Sequence, residues 1–100
     1  MNDSELKALA AAVLLASDDV RLALQSELNA HRVGSIADQQ VARQSLWNAH
    51  HAFDVARQTE KVALLNQRCQ RTGYAQDVDD AVDAEARLAS LKAAGPRTRL

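Results

Sequence analysis

The first part of the chain carries apolar residues at helical spacing. Leu6, Leu9 and Val13 fall at i, i+3 and i+7, which places them on one face of a helix. Asp3 and Ser4 precede them, and both are residue types that cap helix N-termini. The pattern therefore predicts a first amphipathic helix that begins near Asp3 or Ser4.

Three polar residues, Ser17-Asp18-Asp19, interrupt this pattern. A serine followed by two acids is typical of an N-cap and the first turn of a helix, so we expect a second helix to begin here. It should end at Gly34, because glycine readily adopts the left-handed conformation that stops a helix. The apolar residues of this second helix repeat every four positions, at Val20, Leu24 and Leu28.

The longest uninterrupted segment runs from Ile36 to Thr72 and contains neither Gly nor Pro. Ser35 and Asp38, just at its start, have the spacing of a capping box. As one helix the segment would be about 50–55 Å long at 1.5 Å per residue. Its apolar stripe weakens at 59–61, which is the best candidate for a break, so the pattern leaves open one long helix or two.

A fourth helix is predicted from Asp77 to the stop signal Gly95-Pro96. Its expected buried side consists of Val78, Val82, Leu88 and Leu91. The predicted fold class is therefore all-α, a small bundle of about four helices with a long third helix. We expect a single helical domain over residues 1–95 and a short mobile tail over residues 96–100.

Composition narrows the class of protein further. The hydrophobic fraction is 47%, but 20 of these residues are Ala, which bury little surface. A thin core of this kind is often completed by a partner protein or by a second copy of the chain. The apolar run Leu6–Ala16 follows acidic residues and is too short to span a bilayer. With the single Cys69, these features predict a soluble, cytoplasmic protein without a membrane segment.

Charge is distributed unevenly although the net charge is only −1. Residues 1–31 carry a net charge of −3, residues 32–72 carry +3, and residues 73–100 carry −1. The long third helix is thus basic and its neighbours are acidic. These charges either pair within the bundle or are simply solvated, or one of the charged faces docks a charged partner, whose approach the charge steers.

No set of residues with a known catalytic or metal-binding arrangement is found in the sequence. His50 and His51 are adjacent, so their side chains diverge by about 100° on a helix and do not chelate one ion together. Cys69 has Arg68 and Arg71 nearby, but no histidine one turn away to serve as a base. We therefore expect a protein that is not an enzyme and has no metal or other cofactor.

One alternative is a DNA-binding regulator of the helix-turn-helix type, built from residues 28–47. Ala30 and Gly34 have the small-residue spacing that lets two helices cross closely. Glutamine and arginine are the residue types that recognise adenine and guanine edges. The candidate DNA-reading residues are Gln39, Gln40, Arg43 and Gln44. The net charge of −1 argues against this alternative, because DNA-binding domains are usually basic.

The lead hypothesis is a stoichiometric protein–protein interaction module. In its size, its helical character and its Ala-, Asp-, Arg- and Gln-rich segment Asp77–Leu91, the chain resembles small phage-encoded inhibitors of the anti-CRISPR type. This resemblance implies a protein or ribonucleoprotein partner, such as a type I CRISPR surveillance complex, with acids replacing phosphates on a basic groove. Strong acidic mimics carry far more negative charge than this chain. The candidate partner-binding residues are Asp77, Asp79, Asp80, Asp83, Arg57, Arg68 and Arg71.

Overall fold

The computed structural model describes residues 3–96, so residues 97–100 of the predicted tail lie outside it. This part of the chain forms three helices and no strand: α1 (Asp3–Val33), α2 (Ile36–Thr72) and α3 (Ala75–Ala94). The all-α class is confirmed. The prediction of about four helices is wrong, and the long helix is the second rather than the third.

The predicted break at 17–19 does not occur, because α1 continues through it. Ser17, Asp18 and Asp19 are exposed, while Ala16 and Val20 are half-buried on either side of them. Serine and aspartate inside a helix each cost only about 0.5–0.7 kcal/mol relative to alanine. Packing of the neighbouring residues against α2 outweighs this cost.

The long helix α2 is a single element of 37 residues. Its start has the predicted capping box: the Asp38 amide donates to Ser35 Oγ at 3.2 Å, and the Ser35 amide donates to Asp38 Oδ2 at 3.1 Å. At the suspected break, the Thr59 hydroxyl donates to the Val55 carbonyl at 2.7 Å, within an unbroken helix. Gly73, with φ +68°, ends α2 in the left-handed region.

The third helix begins at Ala75, two residues before the predicted start. Tyr74 is its N-cap but makes no side-chain capping bond. The last residue of α2 ties the turn to α3 instead, because the Thr72 hydroxyl accepts from the Tyr74 amide and donates to the Asp77 carboxylate. Asp77 is thereby buried in the turn between α2 and α3.

The three helices lie side by side in one layer. Glu27 meets Arg43, and Val13 lines a groove with Arg57, so α1 and α2 run antiparallel. α2 and α3 also run antiparallel, and a hydrogen bond from Asn66 to Glu85 joins them. Within the described range α1 and α3 share no close backbone approach, and each packs on α2. The molecule measures 56 × 27 × 14 Å, so the layer is about half as thick as it is wide.

This open layer buries few side chains. Among residues 3–96 the buried apolar residues are one leucine and three alanines: Leu46, Ala63, Ala81 and Ala84. The accessible surface is 7092 Å², against about 5,600 Å² for a compact monomer of 10.9 kDa. The radius of gyration is 17.1 Å, against about 13 Å for a compact domain of this length. The chain thus exposes about 1,500 Å² more than its mass requires.

The predicted buried side of α3 is wrong in part. Val78 and Val82 are exposed, whereas Leu88 and Leu91 are half-buried. The residues that face α2 most closely are Asp77, Ala81 and Ala84. Small side chains at these positions let the two helices approach closely, and this turns the valines away from α2.

Candidate functional site

The middle helix presents two broad faces, because α1 and α3 cover opposite sides of it. We call the first the cationic face and define it on α2 by residues spaced at four and seven: Arg43, His50, Arg57, Lys61 and Arg68. The second is the neutral face. On α2 it consists of Val41, Ser45, Asn48, Ala52, Thr59, Asn66 and Gln70, none of them charged. One helix thus separates charged from uncharged surface along its length.

The neighbouring helices extend these two faces. The grooves on the cationic face bring Val13 of α1 and Leu91 of α3 beside Arg57, and they bring Asp83 of α3 beside Lys61. On the neutral face, Asn66 Nδ2 donates to Glu85 of α3 at 3.2 Å. Helical periodicity from these anchor points assigns the remaining exposed residues of α1 and α3 to one face or the other.

The cations of the cationic face are only partly neutralised by the protein itself. Arg43 lies 3.7 Å from Glu27, and Arg68 lies 3.9 Å from Asp77. The Arg57 guanidinium instead lies over the Phe53 ring, 5.5 Å from its centroid. No carboxylate of the described residues comes within 4 Å of the Lys61 ammonium or the Arg57 guanidinium, and both side chains belong to exposed residues.

The acidic residues of α3 have unequal positions. Asp79 and Asp83 are exposed, and Asp83 lines one groove with Lys61 and Arg68. Asp80 is half-buried at the same groove and accepts a hydrogen bond from Gln76 at 2.9 Å. Asp77 differs from these, since its carboxylate is buried against Thr72 and beside Arg68. Asp77 therefore holds the turn, and three acids remain accessible to a partner.

Of the cations predicted to contact a partner, Arg57 and Arg68 lie in the row of residues that defines the cationic face, and Arg71 is exposed in the last turn of α2. Lys61 is a candidate contact residue that the pattern of apolar stripes does not reveal. It was included in the suspected break at 59–61, where the apolar pattern weakens. The signal that finds it is the charge periodicity, since Lys61 follows Arg57 by four positions and precedes Arg68 by seven.

The candidate DNA-reading residues are mostly engaged or partly covered. Gln40 is exposed, whereas Gln39 is half-buried. Arg43 meets Glu27 of α1, and Gln44 donates to Asn48 at 2.9 Å. The turn at 34–35 joins two helices that lie antiparallel along their lengths, in contrast to the steep crossing of a helix-turn-helix.

Two of the three histidines line an open groove on the cationic side of α2. His50 and His51 lie there with Trp47, Asp54 and Leu91. Within residues 3–96 no group of three or more His, Cys, Asp or Glu side chains is placed to hold a metal ion. The arrangement can offer hydrogen bonds and an aromatic surface to a bound protein.

Cys69 is half-buried and not paired in a disulfide. No helix in the described part of the chain combines the length and the apolar character needed to cross a bilayer. No family model, curated protein or solved structure matches this chain.

Proposed function

We propose that this protein is a non-catalytic protein–protein interaction module that acts as a stoichiometric inhibitor. The observation that supports it most is the cationic face, where exposed Arg57 and Lys61 have no carboxylate of the described residues within 4 Å. The two cations share one groove with Asp54 and Glu60, and Lys61 shares another with Asp80 and Asp83. Its target would be a nucleic-acid-binding complex, such as a CRISPR surveillance complex. The inhibitor would act by occupying a surface that the complex needs.

The mixed sign of this face favours a protein partner over a nucleic acid. A phosphate backbone is negative along its whole length and gains affinity from each cation that neutralises it. Here it would meet Asp83 in the same groove as Lys61 and Arg68. A protein surface can instead present carboxylates to the α2 row and amines to the α3 acids, so both signs are matched.

The shape of the molecule supports the same proposal. A single layer of helices offers a flat or slightly grooved surface 56 Å long, and the row from Arg43 to Arg68 runs about 37 Å along it. Charges spread over such a length steer a partner before contact and raise the association rate more than the affinity. Apolar side chains beside the row would supply contact area. They are Leu14, Leu24, Leu28 and Leu64.

The experiment is a titration of the purified protein into a reconstituted type I surveillance complex, with target-DNA binding as the readout. We expect DNA binding to fall in proportion to the added inhibitor and to reach its floor at a fixed ratio of inhibitor to complex. The double variants Arg57→Glu/Lys61→Glu and Asp80→Lys/Asp83→Lys should each weaken inhibition. The matched control is Lys7→Glu, an exposed cation of α1 outside the row, and it should inhibit like the unmodified chain.

A gel shift with duplex DNA and the protein alone distinguishes the helix-turn-helix alternative from the proposed inhibitor. Affinity that falls steeply with salt and is lost in Gln40→Ala would support the helix-turn-helix regulator and contradict the proposed inhibitor. Inhibition that survives both double variants would remove the cationic face from the proposal. If the surveillance complex is unaffected, capture from host lysate with the same three variants tests whether another partner depends on this face.

A further inference from the structure

The neutral face is the second unpartnered surface of the layer, and it differs from the cationic face in composition. Between Ala37 and Gln70, its α2 residues include no charged side chain. By helical periodicity α1 adds Leu15, Leu22 and Val33 to it, and α3 adds Val78 and Val82, all exposed. By the same periodicity α1 and α3 also bring a few charged residues to this face, and Glu85 is bonded there to Asn66. They are Glu5, Asp19, Glu85 and Lys92.

The area of this face is large enough for a stable interface. The layer is 56 Å long and 27 Å wide, so one face has a projected area of about 1,500 Å². If half of this face were covered on each of two chains, the total buried area would exceed the roughly 1,200 Å² of a specific interface. The surplus surface of the isolated chain, also about 1,500 Å², is of matching size. One covered face would therefore bring the chain to the exposure expected for its mass.

Symmetry indicates which face a second copy would use. Two flat layers that stack through the same face are related by a two-fold axis in the plane between them. Because α2 is the middle helix, an axis that passes through the centre of the face brings α2 of one copy over α2 of the other. Stacking through the cationic face would bring Arg57 and Lys61, which have no carboxylate of the described residues within 4 Å, against the same two residues of the second copy, and like charges repel. Stacking through the neutral face opposes the uncharged residues of the two α2 helices.

We infer that two copies of this chain stack through their neutral faces into a two-layer assembly of six helices. In that assembly Leu15, Leu22 and Val82 leave water, and the cationic face of each copy stays outside and available. This inference does not depend on the proposed inhibitor function, because the two use opposite faces.

Adjacent leucines of α1 provide a matched pair for the test. Leu14 and Leu15 are 69% and 67% exposed and belong to the same turn, but Leu14 lies on the cationic side and Leu15 on the neutral side. Sedimentation equilibrium of the full chain should give twice the mass of 10.9 kDa. Leu15→Lys should raise the dimer dissociation constant by about 30-fold or more, the effect expected when a charge replaces an apolar side chain that contributes strongly to an interface. Leu14→Lys should leave it unchanged.

A second variant on another helix guards against a purely local effect. Val41→Lys, on α2 and 69% exposed, should also dissociate the dimer, with helical content by circular dichroism unchanged. A monomer at all concentrations would overturn the inference, and so would assemblies larger than a dimer or an equal effect of Leu14→Lys. Because inhibition is measured with charge variants on the other face, failure of one proposal is distinguishable from failure of the other.

Discussion

Gly34 and Gly73 occupy the two interhelix turns for different physical reasons, and substitution should separate them. A Cβ on Gly34 would lie 2.7 Å from the Ala30 carbonyl oxygen and 3.0 Å from Asp38 Cβ. A Cβ on Gly73 would meet nothing within 4 Å, but this residue has φ +68°. Gly34 is therefore required for space and Gly73 for its left-handed backbone.

The expected magnitudes follow from these two causes. At Gly34 the obstructing oxygen belongs to helix backbone and cannot rotate away, so alanine should cost about 1–3 kcal/mol as overpacking does. Reduced freedom of the unfolded chain offsets about 0.4–1 kcal/mol of this cost. We expect Gly34→Ala to destabilise by about 1.5 kcal/mol. Gly73→Ala should cost about 1–2 kcal/mol from left-handed strain alone.

Asparagine distinguishes the mechanisms, because it tolerates the left-handed region but is larger than alanine. We expect Gly73→Asn to recover most of the stability lost in Gly73→Ala, and Gly34→Asn to be at least as unstable as Gly34→Ala. The assay is thermal unfolding by circular dichroism at one fixed protein concentration, since self-association would shift Tm. Each kcal/mol should move Tm by about 4–8 °C. Rescue by asparagine at Gly34, or a neutral Gly34→Ala, would refute the steric argument.

Two further predictions concern the contact between α2 and α3. Asp77→Ala should destabilise the fold by about 1–3 kcal/mol, because the Thr72 hydroxyl and Arg68 lose their acceptor. The control, Asp79→Ala at an exposed position, should change stability by less than about 0.5 kcal/mol. An equal effect at both positions would contradict the role given to Asp77. Ala84→Leu should cost about 1–3 kcal/mol by overpacking, since Ala84 is 3% exposed and its carbonyl accepts from Gln58 at 2.9 Å. Chemical denaturation should show no such loss for exposed Ala86→Leu, and stability of Ala84→Leu near that of the unmodified chain would contradict the close packing.

Helix ends marked by side chains or by glycine were predictable from sequence. The capping box of Ser35 and Asp38 formed as its spacing predicted, and Gly95 ends α3 with φ +66°. These signals are local, because each depends on atoms within one turn of the chain. Ser17-Asp18-Asp19 has the same local appearance as a helix start, but there the packing of α1 along α2 decides the outcome, and Ala16 and Val20 on either side are half-buried.

The exposed or buried state of each apolar stripe was much less predictable. Val78 and Val82 look like core positions because a stripe of valines at helical spacing usually faces the protein interior. In the folded chain the alanines Ala81 and Ala84 take that place. Periodicity shows that a helix has an apolar face, but the neighbouring helix decides which face of it packs in the interface. The charge asymmetry of the long helix and the spacing of its cations were visible in sequence, but that this side of the helix stays uncovered required the positions of α1 and α3.

The separation of charge on α2 is not explained by the needs of the fold alone. Only two cations of the row, Arg43 and Arg68, have carboxylates of neighbouring helices within 4 Å. Exposed pairs of this kind contribute at most about 1 kcal/mol each, so a mixed surface would fold equally well. Contact with a charged partner would require a charged face, and contact with a second copy would require an uncharged one. A layer one helix thick is the simplest architecture that supplies both.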